Sequence, residues 1–233
     1  MNATYEDIAG MIDHSLLAPT LTREELEAGL RVARAYGVAS VCIMPYYVKR
    51  CAEVLAGSRV VASTTIGFPH GGHATAIKVA EARQALDDGA LELDMVVNIS
   101  AVRSGDLDLA RRDIAAVSEV THARGARLKV IFENCYLSDA QKIELCRICG
   151  DLRADWVKTS TGYGPSGATD ADLALMRAHS PAHVQVKAAH GVRTLDRLLE
   201  VRALGVTRAG ATATAAILDE YRHRLGLPAI AIA

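Results

Sequence analysis

Eight times along this chain a short run rich in Val, Ile, Leu and Ala is followed by a stretch with helical signals. The apolar runs lie at residues 11–17, 38–44, 60–66, 90–97, 127–133, 155–159, 184–188 and 207–210. The helical stretches follow at 22–36, 48–56, 74–87, 106–123, 138–149, 170–178, 194–203 and 212–222, and a short helix at 4–10 leads the chain. Punctuation supports the division. Thr22 with Glu25 has the spacing of a capping box, Gly37 closes that helix, and Pro45 stops the second strand. Gly89, Gly150 and Gly205 are expected to close three later helices. Strictly alternating strands and helices predict parallel strands. Eight such units need about 250 residues as a (β/α)8 barrel, and the chain has 233. We therefore expect one (β/α)8 (TIM) barrel domain over 1–233, preceded by a short N-terminal helix. A doubly wound open sheet is the competing architecture, but no Gly-x-Gly-x-x-Gly follows the first strand.

Side chains alternate between the two faces of a strand. Glu92 and Asp94 share one face of the fourth strand. Lys129, Ile131 and Glu133 share one face of the fifth; Lys158 goes with Trp156 and Lys187 with Gln185. The opposite faces carry Leu91, Leu93 and Met95, then Leu128, Val130 and Phe132, then Val184, Val186 and Ala188. The apolar faces are expected to meet the helices, which turns the charges into the barrel. Lys129, Glu92 and Glu133 fit either a structural ion-pair network or part of a catalytic centre.

The sixth and seventh strands each end in a lysine, and each lysine precedes a glycine-containing loop: Lys158 before Gly162, and Lys187 before Gly191. A lysine amine attacks a carbonyl only when unprotonated, so its pKa must fall from about 10.4 through burial or a neighbouring cation. On adjacent strands, about 5 Å apart, each ammonium disfavours the other. One lysine can then form a Schiff base while the other keeps its charge. The imine is an electron sink that allows an enamine to form, and Asp94 on the same inner face suits proton transfer through a water. Two loops point to an anion. Gly191-Val192-Arg193-Thr194 and Gly210-Ala211-Thr212-Ala213 open the last two helices, and barrels often hold phosphate there.

At these residues the chain resembles the deoxyribose-phosphate aldolases. The matching pieces include Asp13-His14-Ser15-Leu16-Leu17, Val41-Cys42-Ile43-Met44-Pro45, Ile66-Gly67-Phe68-Pro69-His70-Gly71 and Glu92-Leu93-Asp94-Met95-Val96. They continue with Leu128-Lys129-Val130-Ile131-Phe132-Glu133, the specific run Lys158-Thr159-Ser160-Thr161-Gly162, Lys187-Ala188-Ala189 with Gly191-Val192-Arg193, and Arg208-Ala209-Gly210. The resemblance implies class I aldol chemistry on 2-deoxyribose 5-phosphate, without a cofactor or metal. It implies Lys158 as the Schiff-base lysine, Lys187 as the perturbing lysine and Asp94 in the proton relay. Thr159, Gly162, Gly191, Val192, Gly210 and Thr212 are the substrate and phosphate positions, and a homodimer is expected. The chain departs from the family at His190, where glycine is usual, and at Thr212-Ala213, where two serines are common. Asn134 stands where threonine is common, and the chain ends Ala231-Ile232-Ala233 without the tyrosine some members use. A related Schiff-base aldolase taking an unphosphorylated aldehyde is the alternative. A barrel that only senses sugar phosphates has no need of a destabilised amine.

The remaining signals are weaker. A net charge of −1 offers no general nucleic-acid or membrane surface, so small-molecule partners are expected. The five cysteines and the start Met1-Asn2-Ala3-Thr4, which lacks an export pattern, point to reduced thiols in a cytoplasm. His70 and His73 have metal-ligand spacing but no carboxylate cluster beside them. Cys146-x-x-Cys149 lies on a helix without a second pair. Cys42 is read as a wall of the pocket, and Asp13-His14 as a structural hydrogen bond rather than a catalytic dyad.

Overall fold

A computed structural model describes residues 3–232; Met1 and Asn2 of the start and Ala233 of the tail lie outside them. The strands are β1 (Ile12–Leu16), β2 (Ser40–Ile43), β3 (Val61–Ile66), β4 (Glu92–Val96), β5 (Arg127–Ile131), β6 (Trp156–Lys158), β7 (Gln185–Ala189) and β8 (Arg208–Ala211). They close in sequence order into one parallel barrel, β8 pairing with β1. The helices are α1 (Tyr5–Ala9), α2 (Arg23–Tyr36), α3 (Val48–Leu55), α4 (Thr75–Asp87), α5 (Ile99–Arg103), α6 (Leu107–His122), α7 (Asp139–Asp151), α8 (Asp170–His179), α9 (Leu195–Ala203) and α10 (Thr214–Arg224). None of them is long and apolar enough to cross a membrane. The (β/α)8 architecture read from the sequence is the one observed.

Local chemistry explains the elements. α2 opens with the expected capping box between Thr22 and Glu25 and ends on Gly37 in the left-handed conformation. Its buried Leu26, Leu30 and Ala33 recur at helical spacing and face the barrel. Gly29 stands within that continuous helix for a packing reason: a Cβ there would lie 2.5 Å from a methyl of Leu16. Reciprocal caps also open α1 at Thr4 and α7 at Ser138. The outer strand faces, including Val41, Leu93, Met95, Leu128, Val130, Val157, Val186 and Ala188, are buried against the helices. Burying each Val or Leu contributes about 1.5–3 kcal/mol, which lets the barrel interior carry charge instead.

Four sequence expectations are corrected. Strand five stops at Ile131, and Glu133 leaves it with φ 57°. Leu91 lies before β4 and is half-exposed, so it does not pack under a helix. Gly150 sits inside α7 rather than closing it, and Pro181 approaches so closely that a Cβ would be 2.9 Å away. The short α5 was not anticipated; Asn98 caps it by accepting from Ala101 N–H.

His14 illustrates the outer face. Alternation turns it away from Asp13, and its Nδ1 meets Thr214 Oγ1 of α10 at 2.7 Å. The role is structural, but the partner is Thr214 rather than Asp13, and the two residues form no dyad. Burial pushes the imidazole down to about 4 from 6.5. Below pH 6.5 the unfolded chain therefore binds a proton that the folded chain refuses. The contribution to stability is complete above the unfolded value and is lost as pH falls through the folded one, in total about 3 kcal/mol. His14→Gln is expected to flatten the decline in urea-unfolding free energy between pH 7 and pH 4. An unchanged decline in the variant would refute this assignment.

Candidate active site

Registry aligns a set of charges on the inner barrel face. Asp94 lies opposite Lys129, Lys158 opposite Lys187, and Lys187 opposite Arg208. Asp13 enters from β1, opposite Gly210. Trp156 lies under this set, with the cations of Arg127, Lys129 and Arg208 over its ring at 5.1, 5.7 and 5.0 Å.

The centre of the network is Asp94, fully buried. Its Oδ2 accepts from Lys158 Nζ at 2.7 Å and from Lys187 Nζ at 2.8 Å, and its Oδ1 accepts from Lys129 Nζ at 2.8 Å. Lys187 also meets Asp13 Oδ2 at 2.5 Å, and Lys129 meets Glu92 Oε2 at 2.6 Å. Arg208 donates to Asp13 Oδ1 at 2.5 Å and to Glu92 Oε1 at 2.9 Å. Lys129 and Glu92 thus belong to an ion network behind Lys158, which ends β6, and Lys187, which lies in the middle of β7 rather than at its end. Asp94 touches Lys158 directly, rather than through the water expected from the sequence.

The network separates the two lysines. Burial lowers the pKa of Lys158; Asp94 opposes this, the Lys187 charge adds to it, and the result lies below the ordinary lysine value. Burial disfavours charge on Lys187 as well, but Asp13 and Asp94 together outweigh it and raise its pKa. Burial alone would raise the Asp94 carboxyl, yet the three ammoniums hold it well below the usual carboxylate range. Counting charges gives the same division. The buried anions Asp13, Glu92 and Asp94 are balanced by Lys129, Lys187 and Arg208. Lys158 is the fourth cation, and a neutral Lys158 leaves the interior balanced. Arg127 also reaches Glu92, but from a position 45% exposed, where water solvates its charge.

A cavity of about 320 Å³ opens over this cluster at the C-terminal end of the strands, where barrel enzymes carry their sites. Lys158, Lys187 and Asp13 form its floor. Gly162, Gly191, Val192, Gly210 and Thr212 line it. Thr159 does not: its hydroxyl donates to Ala189 O at 3.3 Å and accepts from Ala189 N–H at 3.1 Å, stitching β6 to β7. The two anion loops lie beside helix starts, although α9 begins at Leu195 and α10 at Thr214, two residues later than read for α10. Thr194 caps α9 by accepting from Arg197 N–H. No side chain among the described residues caps α10, which leaves its first-turn N–H groups next to Thr212 open to an anion.

The lining also includes Asp13, Ser15, Thr161 and Tyr163, which the sequence did not mark as site positions, together with His190 and with Arg193 of the anion loop. The Gly-Val-Arg run was the available signal for Arg193. His190 takes φ 64°, a costly conformation for a residue with a Cβ. Its carbonyl accepts from Ala168 N–H at 3.0 Å, and the adjoining Gly167 comes so near that an added Cβ would lie 2.1 Å from that oxygen. Cys42 also lines the cavity, its thiol pushed up chiefly by burial. His70 and His73 are exposed, and among the described residues no group of three or more His, Cys, Asp or Glu side chains is placed to hold a metal ion. Cys146 and Cys149 are buried free thiols, both raised by burial.

This arrangement has relatives. The chain is 64% identical over 228 residues to a deoxyribose-phosphate aldolase of Rhodopirellula baltica, covering 98% of this chain and 95% of that protein. It is 44% identical over 219 residues to one of Thermococcus gammatolerans, covering 93% and 97%. The solved tetrameric deoxyribose phosphate aldolase of Aeropyrum pernix superposes with a TM-score of 0.87 at 27% identity, covering 94% of this chain and 92% of that one. A family model described as DeoC/LacD family aldolase matches residues 8–221. With that match spanning most of the barrel, the chain belongs to the DeoC/LacD family of aldolases.

Proposed function

We propose that this protein is a class I aldolase that reversibly cleaves 2-deoxyribose 5-phosphate to acetaldehyde and glyceraldehyde 3-phosphate, with residues 1–233 as one catalytic domain. The observation that carries the reading is Lys158: buried, depressed in pKa, on the cavity floor, and sharing one Asp94 oxygen with a charged Lys187. The neutral Lys158 amine attacks the aldehyde carbon and loses water to give an iminium. The bond between the carbons α and β to the iminium then breaks, its electrons passing to the iminium as the hydroxyl on the β carbon gives up its proton. Glyceraldehyde 3-phosphate leaves, the enamine takes a proton on carbon, and hydrolysis frees acetaldehyde and Lys158. Lys187 and Asp94 are the groups placed to exchange those protons at the amine. Gly191, Val192, Gly210, Thr212 and Arg193 provide N–H, hydroxyl and guanidinium groups for the phosphate. The reading includes a homodimer, a cytoplasmic location and a part in deoxyribonucleotide breakdown.

Lys158→Arg keeps the charge and removes the amine nucleophile. Incubation with acetaldehyde followed by borohydride is expected to add the reduced adduct mass to the wild type and none to the variant. Adduct at the wild-type level in Lys158→Arg would sink the assignment.

Lys187→Leu removes a like charge and leaves more of the Asp94 charge for Lys158. Both changes raise the Lys158 pKa, so the neutral amine is reached only at higher pH. The pH–rate profile for cleavage is expected to move upward, with loss of rate at pH 7. Removing one partner from buried Asp13 costs about 3–5 kcal/mol, so thermal unfolding accompanies the assay. A folded variant with the wild-type profile refutes the role.

His190 bears on the acceptor, because its side chain stands beside Gly191-Val192 in the anion loop. We expect His190→Gly to raise the ratio of kcat/KM for glyceraldehyde 3-phosphate over glyceraldehyde by about fivefold, close to 1 kcal/mol. A lower ratio makes His190 a phosphate ligand, contrary to this expectation. A wild-type ratio below one favours the alternative aldolase for unphosphorylated aldehydes.

A further inference from the structure

Beside Lys158 the cavity wall rests on a carboxylate that none of these steps uses. Glu133 is 2% exposed and holds φ 57° and ψ 63°, a left-handed conformation that costs a residue with a Cβ about 1–2 kcal/mol. Among the described residues no lysine, arginine or histidine pairs with it. Apart from a long contact from the Cys135 thiol to Oε1 at 4.0 Å, its partners come from the loop after β6. Thr161 N–H donates to Oε1 at 3.3 Å and to Oε2 at 3.2 Å, and the Thr161 hydroxyl donates to Oε2 in a close contact. Gly164 passes over the same carboxylate; a Cβ there would lie 3.1 Å from Oε1. The loop thus folds around Glu133 as around a peg.

The arrangement sets the polarity of one hydroxyl. Thr161 lines the same cavity as Lys158. A hydroxyl has one proton and two lone pairs. The Thr161 proton goes to Glu133, and one lone pair accepts from Tyr163 N–H at 3.0 Å. What is left for the cavity is a single acceptor site. A carboxylate enforces this, because it offers acceptors only; an amide in its place would bring an N–H to the same hydroxyl and let it turn round. A loop anchor alone needs only something to accept the backbone N–H. A buried, unpaired carboxylate in a strained backbone is more than anchoring requires.

We propose that Glu133 is a positioning residue for the aldol step: by taking the Thr161 hydrogen bond, it presents the Thr161 oxygen as an acceptor to the substrate hydroxyl, whose proton passes to Thr161 as the Thr161 proton passes to Glu133 when the carbon–carbon bond breaks. The inference rests on the aldolase reading and deepens it. It accounts for the loop geometry, the left-handed turn and the missing counter-ion together.

The test exploits a difference between two reactions of the same lysine. Cleavage of 2-deoxyribose 5-phosphate involves that hydroxyl; imine formation with acetaldehyde and exchange of its methyl protons for deuterium do not. Glu133→Gln and Thr161→Val are each expected to lower kcat for cleavage at least tenfold. In both variants borohydride trapping and methyl exchange stay within twofold of wild type, and the Glu133→Gln/Thr161→Val double variant is no slower than Thr161→Val. Parallel loss of cleavage and exchange would reduce Glu133 to a loop anchor and overturn the proposal. Unchanged cleavage, or losses that multiply in the double variant, would overturn it too. Wild-type protein that neither traps acetaldehyde nor exchanges its protons would instead remove the aldolase reading beneath it.

Discussion

One carboxylate oxygen holding two lysines is the constraint on which the rest of this structure depends. Asp94 Oδ2 accepts from Lys158 and Lys187, and Oδ1 accepts from Lys129. A carboxylate removed from water is costly unless it is paired and hydrogen-bonded. Here it is over-supplied with donors, and the surplus has a chemical use. The three ammoniums favour the ionised form of Asp94, yet one carboxylate cannot fully stabilise all three at once. The shortage falls on the lysine with the fewest other anions.

That centre dictates the architecture around it. Charges inside a barrel displace the branched apolar residues that usually fill one. Packing stability must then come from the other side of the strands, where valine, leucine and methionine meet the helices. Even there, polar groups are satisfied structurally: Lys78 of α4 donates to Asp113 of α6 and to Val96 O of β4. The open end of the barrel is left to loops whose glycines permit close approach. The mobile chemistry sits on rigid strands, and the adaptable recognition sits on loops.

Much of this was legible in the sequence. The period-two alternation in β4, β5 and β7 is regular enough to place Asp94, Lys129 and Lys187 inside. The glycine loops after Lys158 and Lys187 mark the functional end of the barrel. What escaped has identifiable causes. Asp13 stands next to His14, and a histidine on the helix-facing side masks the alternation of β1; only the closed barrel brings Asp13 to Lys187. Arg208 was one charge in a four-residue strand, too short to show a period. Thr159 belongs to a specific run, but that run spends its hydroxyl on Ala189. Glu133 continues the alternation of β5 on paper, while a left-handed turn at that residue takes it out of the strand.

The division of labour between Lys158 and Lys187 is the least sequence-like property of the site. The two side chains are chemically identical, sit opposite each other on adjacent strands, and are both buried. Burial lowers both pKa values, and their mutual repulsion is symmetric. The difference comes from Asp13, on a strand that is not a neighbour of either β6 or β7 in the barrel. Its carboxylate reaches Lys187 across the interior at 2.5 Å and does not reach Lys158. Lys187 itself, Lys129, and Arg208 on the other Asp13 oxygen at 2.5 Å together keep that carboxylate ionised against its burial. Lys187 therefore answers to two anions and stays charged, whereas Lys158 answers to one and gives up its proton more readily. Closing β8 onto β1 is what completes the contact. In an open sheet with the same local sequences the two lysines would be equivalent, and neither would be committed to act as the nucleophile.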